Sequence, residues 1–174
     1  MGRRLMQINK IELKNISYYK QGSEETPCYN ATVYVNGKKA IEVGNDGHGG
    51  MDRQDAWHEK GFDLKEINDW CIKTFGQKSF TYHSDDEEKE CTYDFDLEQF
   101  CHDELYKWLD LKDLKKDMNK KYLFVEDKKL YGYPRKNKDQ DITFKTFFYE
   151  KHPSAKCLNF MSFDDALTLY KESA

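Results

Sequence analysis

The sequence predicts an α+β fold, with an antiparallel N-terminal sheet containing a bulged hairpin, central helices, and a C-terminal ββαβα unit. Three observations support this. Apolar and polar residues alternate with strand period between residues 7 and 44. The apolar period lengthens to that of amphipathic helices over 63–75 and 96–109. From residue 121 onward, short β-rich runs and capped helical stretches succeed one another. The expected organisation is an α+β domain over 1–114, carrying the hairpin sheet and both helices, with a ββαβα subdomain over 115–174 packed on it. The seams are an acidic connector at 84–90 and the Lys115–Lys121 stretch.

In order, residues 7–20 read as a strand. Ile11 and Leu13 share one parity while Ile16 and Tyr18 share the other, so a bulge is expected near Lys14 or Asn15. Residues 28–36 and 38–44 form a hairpin around Asn36-Gly37. A two-residue turn would set Val33 against Ala40 and mix the faces. A type I turn with Gly37 as a left-handed bulge puts Tyr29, Ala31 and Val33 on one face with Ile41 and Val43, and is preferred on that ground. Residues 63–75 read as a helix, with Asp63 and Glu66 as a capping pair, Gly76 past its end, and a stripe of Leu64, Ile67, Trp70, Cys71 and Phe75. A short strand over 80–83 precedes the acidic connector SDDEEKE. A second helix at 96–109 carries Leu97, Phe100, Cys101, Leu105, Trp108 and Leu109, and residues 113–120 extend it as a polar turn or short helix. The tail reads as strands at 121–126 and 129–133, a helix capped by Asp141 and ended before Pro153, a strand at 156–160, and a final helix capped by Ser162.

Composition narrows the function classes. Aromatics make up 15% of the 174 residues, with 12 Tyr and 11 Phe, which excludes a disordered chain. A net charge of −4 from 28 basic and 32 acidic residues gives no global field for nucleic acid. No apolar run has the length of a membrane span, and the N-terminal MGRRLMQINK lacks the apolar core of a secretory signal. The expected setting is the bacterial host cytoplasm. Five cysteines without regular spacing read as reduced thiols.

The glycine-rich loop is the first candidate site. Four glycines fall between 44 and 50, and glycine is used where φ is positive or where another group approaches the backbone closely. Asn45, Asp46, His48, Arg53 and Trp57 then form an expected partner-binding patch, with Trp57 equally suited to the core. Asp46, His48, Asp52 and His58 offer carboxylate and imidazole ligands for a metal-dependent hydrolase, an alternative reading whose spacing matches no ligand signature. No metal or other cofactor is therefore expected. Cys71 and Cys101 lie on apolar stripes and read as core. Cys101 and His102 diverge as helix neighbours, so they make no nucleophile pair. No catalytic motif is present, and the enzyme reading is disfavoured.

A second candidate site interleaves aromatics with basic residues. Lys128, Lys129, Arg135, Lys136 and Lys138 are placed to neutralise phosphates while Tyr131 and Tyr133 stack on bases, giving the alternative reading of an RNA- or DNA-binding accessory protein. The acidic stretch 84–90 reads as solvated surface or as a phosphate mimic for a basic groove.

The segments Ser23–Thr26 (SEET), Tyr34–Lys39 (YVNGKK) and Asn45–Gly50 (NDGHGG) resemble a group of small phage and mobile-element proteins, and the tail from Tyr122 resembles their C-terminal halves. The resemblance carries no established activity and no catalytic residues. It implies, by analogy, an anti-defence or anti-CRISPR-like role. The expectation is a non-enzymatic binding or inhibitor protein that occludes or remodels a host protein or ribonucleoprotein, with RNA as a further partner.

Overall fold

A computed structural model describes residues 7–57, 61–84, 87–136 and 140–173. The class is α+β, as expected, and the chain divides into two units, Met1–Leu105 and Tyr106–Ala174. The division falls inside a helix, ahead of the seam expected after 114.

The first unit begins with four antiparallel strands in the order β1 (Ile11–Tyr18), β2 (Tyr29–Val35), β3 (Lys38–Asn45) and β4 (Arg53–Ala56). Cross-strand pairs set Leu13 against Val33, Val33 against Ile41, and Ala31 against Val43, so one face is continuous hydrocarbon. Val33, Val35, Ile41 and Val43 are almost wholly buried on it. Burial of each contributes about 1.5–3 kcal/mol. The opposite face carries Glu12, Lys14, Tyr34 and Glu42, the division expected of an antiparallel sheet with one solvated side. The anticipated bulge in β1 is present. Asn15 adopts φ 55°, and the register shifts between Lys14 and Ser17.

The hairpin turn differs from expectation. Asn36 and Gly37 both have positive φ, 49° and 78°, so this is a two-residue turn and not the type I turn with a bulge at Gly37. The bulge instead sits at Ala40, where pairing shifts between Val33/Ile41 and Tyr34/Lys39. Ala40 is completely buried and absorbs the extra residue. The predicted face grouping survives because a shift of two residues preserves side-chain parity. Asn36 also ties the turn to the chain start. Its Oδ1 accepts from the N–H groups of Asn9 and Lys10, and its Nδ2 donates to the Gln7 carbonyl. Strand β4 falls in a stretch to which the sequence pattern assigns no element.

Helix α1 (Leu64–Phe75) starts and stops as its sequence dictates. The Asp63 carboxylate accepts from the Lys65 and Glu66 N–H groups, and Gly76 leaves the helix at φ 72°. Ile67 and Cys71 are fully buried. Of the acidic connector, Ser84 and residues 87–90 prove to be part of a two-stranded ribbon, β5 (Gln77–Ser84) with β6 (Glu87–Asp94), paired without a break from Gln77/Asp94 to Ser84/Glu87. Helix α2 (Leu97–Lys120) runs through the expected 113–120 extension. Asp96 caps it by accepting from the Gln99 N–H. Asn68 of α1 accepts from the Leu97 N–H, and Phe75 packs against Phe95 and Phe100 at centroid distances of 5.1 and 5.9 Å.

The second unit contains a three-stranded sheet in the order β8 (Lys129–Pro134), β7 (Lys121–Glu126), β9 (Lys156–Cys157), with α3 (Asp141–Lys151) and α4 (Phe163–Ser173). The central β7 is buried on both faces, which explains its unalternating YLFV core. Leu123 and Val125 join Leu114, Leu158, Ala166 and Leu167 on one side. Tyr122 and Phe124 join Phe148, Ala155 and Cys157 on the other. Asp141 does not cap α3, whose N-cap Gln140 makes no side-chain cap bond. It binds Arg135 and Tyr122 instead. The strand expected over 156–160 shortens to two residues and turns into a 3₁₀ segment, Leu158–Phe160. Ser162 accepts from the Asp165 N–H, capping α4 as expected. Among the described residues no helix is long and apolar enough to cross a membrane.

Candidate functional site

The glycine loop after β3 is committed largely to its own chain. The Gly47 carbonyl accepts from the backbone N–H groups of Glu24, Glu25 and Thr26, at 3.0, 2.9 and 3.3 Å. A Cβ at Gly47 would stand 1.8 Å from the Gly22 carbonyl oxygen, one at Gly44 2.7 Å from that of Tyr29, and one at Gly49 2.6 Å from the Glu25 carboxylate. Close approach within the same chain is therefore what these glycines permit: Gly44 faces the backbone of the paired strand β2 at Tyr29, Gly47 the backbone of Gly22, and Gly49 the Glu25 side chain. The Asn45 side chain is turned inward. Its Oδ1 accepts from Thr26 Oγ1 and the Gly47 N–H, while its Nδ2 donates to the Gly50 carbonyl and to Asp52.

The other predicted contact residues separate. Asp46 is exposed and accepts from the His48 N–H, and His48 lies 3.4 Å from Glu24. Arg53 lies on the polar face of the sheet, paired with Asp55 and donating to Asn30. Asn45, Asp46 and Arg53 line one cleft of about 510 Å³ with Cys28 and Met51. Trp57 is half-buried, with Lys39 Nζ 5.9 Å from its ring centroid. The alternative metal set of Asp46, His48, Asp52 and His58 is not brought together among the described residues. His48 pairs with Glu24, Asp52 turns to other partners, and His58 lies outside the described residues.

Asp52 is the centre of a buried polar cluster that joins the sheet to α2. Its side chain is 1% exposed. Tyr29 Oη donates to Oδ2, Asn45 Nδ2 donates to Oδ1 at 3.1 Å, and His102 Nε2 lies 3.3 and 3.4 Å from the two oxygens. The Asp52 N–H donates to Glu98 Oε1 at 3.1 Å. Burial opposes ionisation of Asp52, but hydrogen bonds from His102, Tyr29 and Asn45 outweigh it and hold the carboxyl below its ordinary pKa. The hydrogen bond to Asp52 raises His102 against the opposing effect of burial. Burial, then the bond to Asp52, raises Tyr29. Burial likewise raises the Cys101 thiol well above its ordinary value, leaving a protonated core residue as the sequence suggests. Glu98 escaped the sequence reading, which weighs His102 only beside Cys101. Their i,i+4 spacing on a predicted helix is the signal that places them on one face. Nothing local in the sequence ties Tyr29 to Asp52.

The basic–aromatic segment is only partly available. Arg135 is a structural residue rather than a free phosphate ligand. Its side chain is 12% exposed, forms an ion pair with Asp141, donates to the Met118 carbonyl, and lies 5.3 Å from the Tyr122 ring centroid. Tyr133 stacks on Phe124 and shares a hydrogen bond with His152. Lys128, Lys129, Tyr131 and Lys136 remain exposed, and Lys138 lies outside the described residues.

The β5–β6 ribbon offers more free chemistry. Its register sorts the side chains by face. Lys78, Phe80 and Tyr82 share one face with Lys89, Cys91 and Tyr93, and the rings of Tyr82 and Tyr93 lie 6.0 and 6.1 Å from that of Phe80. The other face carries Glu88, Glu90 and Asp94 with Gln77, Ser79, Thr81, His83 and Thr92. Phe80 and Tyr82 are 51% and 44% exposed. No known protein family, no curated protein and no solved structure matches this chain.

Proposed function

We propose that this chain is a non-enzymatic binding protein and that the β5–β6 ribbon is the element it presents to a macromolecular partner. One observation carries the reading. An eight-pair ribbon stands solvent-exposed along nearly its whole length, with the rings of Phe80, Tyr82 and Tyr93 on one face and the carboxylates of Glu88, Glu90 and Asp94 on the other. A lone two-stranded hairpin is marginal in water, and exposed rings forgo about 25 cal/mol for each Å² left uncovered. A partner that covers the aromatic face recovers that term.

The second face sets the partner's chemistry. Glu88, Glu90 and Asp94 stand on it without a lysine or arginine, so it complements a basic surface such as a protein groove that holds a nucleic-acid backbone. A host nucleoprotein of a defence system, blocked at its basic groove, is the target class that joins this chemistry to the resemblance with phage and mobile-element proteins.

Cys91 supplies the test in a Cys28→Ser background, because it is exposed on the aromatic face while Cys28 is half-buried and Cys71, Cys101 and Cys157 are buried. A photo-crosslinker attached there is expected to capture a discrete host protein or ribonucleoprotein. The yield should drop at least tenfold in Glu88→Lys/Glu90→Lys and fall steeply as salt rises. The same adducts from a label at Lys171→Cys in a Cys91→Ser background, insensitive to the charge reversals, would contradict the proposal.

A further inference from the structure

We infer that Asp52, Glu98 and His102 form a binding site for one divalent transition-metal ion of the zinc or manganese type. The inference is independent of the ribbon and rests on the geometry at the joint between the β3–β4 connection and the first turns of α2. One carboxylate oxygen from each acid and one imidazole nitrogen lie within 4.8 Å of one another. A zinc-type ion holds such ligands at about 2.0–2.2 Å, so its ligand atoms stand about 3–4 Å apart. Small side-chain rotations close the difference.

The donor set suits that class of ion. Two carboxylates and one imidazole match zinc, manganese or ferrous iron better than calcium, which prefers all-oxygen cages. The i,i+4 spacing puts Glu98 and His102 on one helix face, and the connection brings the Asp52 carboxylate to them. Hydrogen-bond capacity is left over for the ion. A carboxylate accepts about four bonds. Tyr29 occupies one position on Oδ2 of Asp52 and Asn45 one on Oδ1; the remaining position faces His102 Nε2, which would exchange its contact with the carboxylate for the ion. Glu98 uses Oε1 to accept from the Asp52 N–H, and its second oxygen is available for coordination. Tyr29 and Asn45 act as an outer shell that fixes the orientation of the buried ligand, as the partners of metal-binding carboxylates commonly do. Electrostatics point the same way. Two carboxylates share this small volume with a single imidazole, and a dication with neutral His102 balances them fully.

The probes are Zn²⁺ and Mn²⁺ added to chelator-treated full-length protein, read by calorimetric titration and by the thermal midpoint. Wild type is expected to take up one equivalent of one of these ions and to melt at a higher temperature when loaded. Glu98→Gln retains an acceptor for the Asp52 N–H, so the fold is preserved while affinity falls at least tenfold. His102→Ala should lose binding, and Tyr29→Phe should weaken it by about tenfold through the outer shell. Binding no tighter than about 100 μM in wild type, or unchanged binding in both Glu98→Gln and His102→Ala, overturns the assignment. The circular dichroism of each variant shows whether a loss reflects the ligand or the fold.

Discussion

The glycine loop after β3 and the β5–β6 ribbon reverse the roles that their sequences suggest. The loop has the composition of a contact site, yet three N–H groups from residues 24–26 converge on the Gly47 carbonyl and Asn45 is directed inward. The ribbon has the composition of a solvated connector, yet it gathers Glu88, Glu90 and Asp94 on one face and its rings on the other. Glycine reports that something lies close to the backbone. It does not report whether that neighbour belongs to another molecule or to a segment some twenty residues earlier in the chain.

Substitutions along the loop should break the comparison first if it is wrong. Gly47→Ala combines positive φ with a direct collision against Gly22, and should cost about 4 kcal/mol in urea unfolding. Gly50→Ala, also at positive φ but with open space around it, should cost only about 1 kcal/mol. Equal costs would mean that the 22–28 segment does not clasp the loop.

The same distinction between used and free chemistry recurs in the second unit. Arg135→Ala leaves Asp141 without its guanidinium and should cost about 3 kcal/mol, whereas Lys128→Ala with Lys136→Ala should stay within about 0.5 kcal/mol. Denaturation midpoints of the three proteins decide it.

A smaller, pH-dependent effect belongs to the Asp52 cluster in chelator-treated protein. His102 is raised above its ordinary 6.5, so its contribution is complete below about pH 6.5 and is lost as pH rises through the folded value. Asp52 is depressed below its ordinary 3.8, so its contribution is present above about pH 4 and is lost as pH falls through the folded value. Wild-type stability should therefore decline above pH 6.5 more steeply than that of His102→Gln. Parallel curves would show that the pair does not couple to folding. The smallest stability effect is expected on the ribbon, where Phe80→Ser, Tyr82→Ser and Tyr93→Ser together should shift global unfolding by less than about 1 kcal/mol while abolishing crosslinking from Cys91.

How much of this was legible follows from the range of each interaction. Asp63, Gly76 and Ser162 act within one helical turn, and their caps could be read directly. The fully buried YLFV stretch, the sheet parity and the bulge at Asn15 are also local patterns. The hairpin register misled because a bulge at Ala40, invisible as composition, restored the parity that a two-residue turn had broken. Asp141 reads as a cap by position but is drawn away by Arg135 and Tyr122. The Asp52 cluster draws on residues 29, 45, 52, 98 and 102, and only the Glu98–His102 spacing leaves a trace in sequence. The strand over 80–83 was legible from Phe80 and Tyr82, but the acidic run concealed its partner β6, where charge outweighs the period-two signal of Cys91 and Tyr93.

Amide hydrogen exchange of the free protein tests the central contrast most directly. The Gly47 and Gly49 amides, held by Asn45 and Thr26, should exchange at least a hundredfold more slowly than the mean of residues 77–94. Faster exchange at 45–50 than along the ribbon would contradict the account, returning the loop to the role of free contact surface and making the ribbon part of the rigid core.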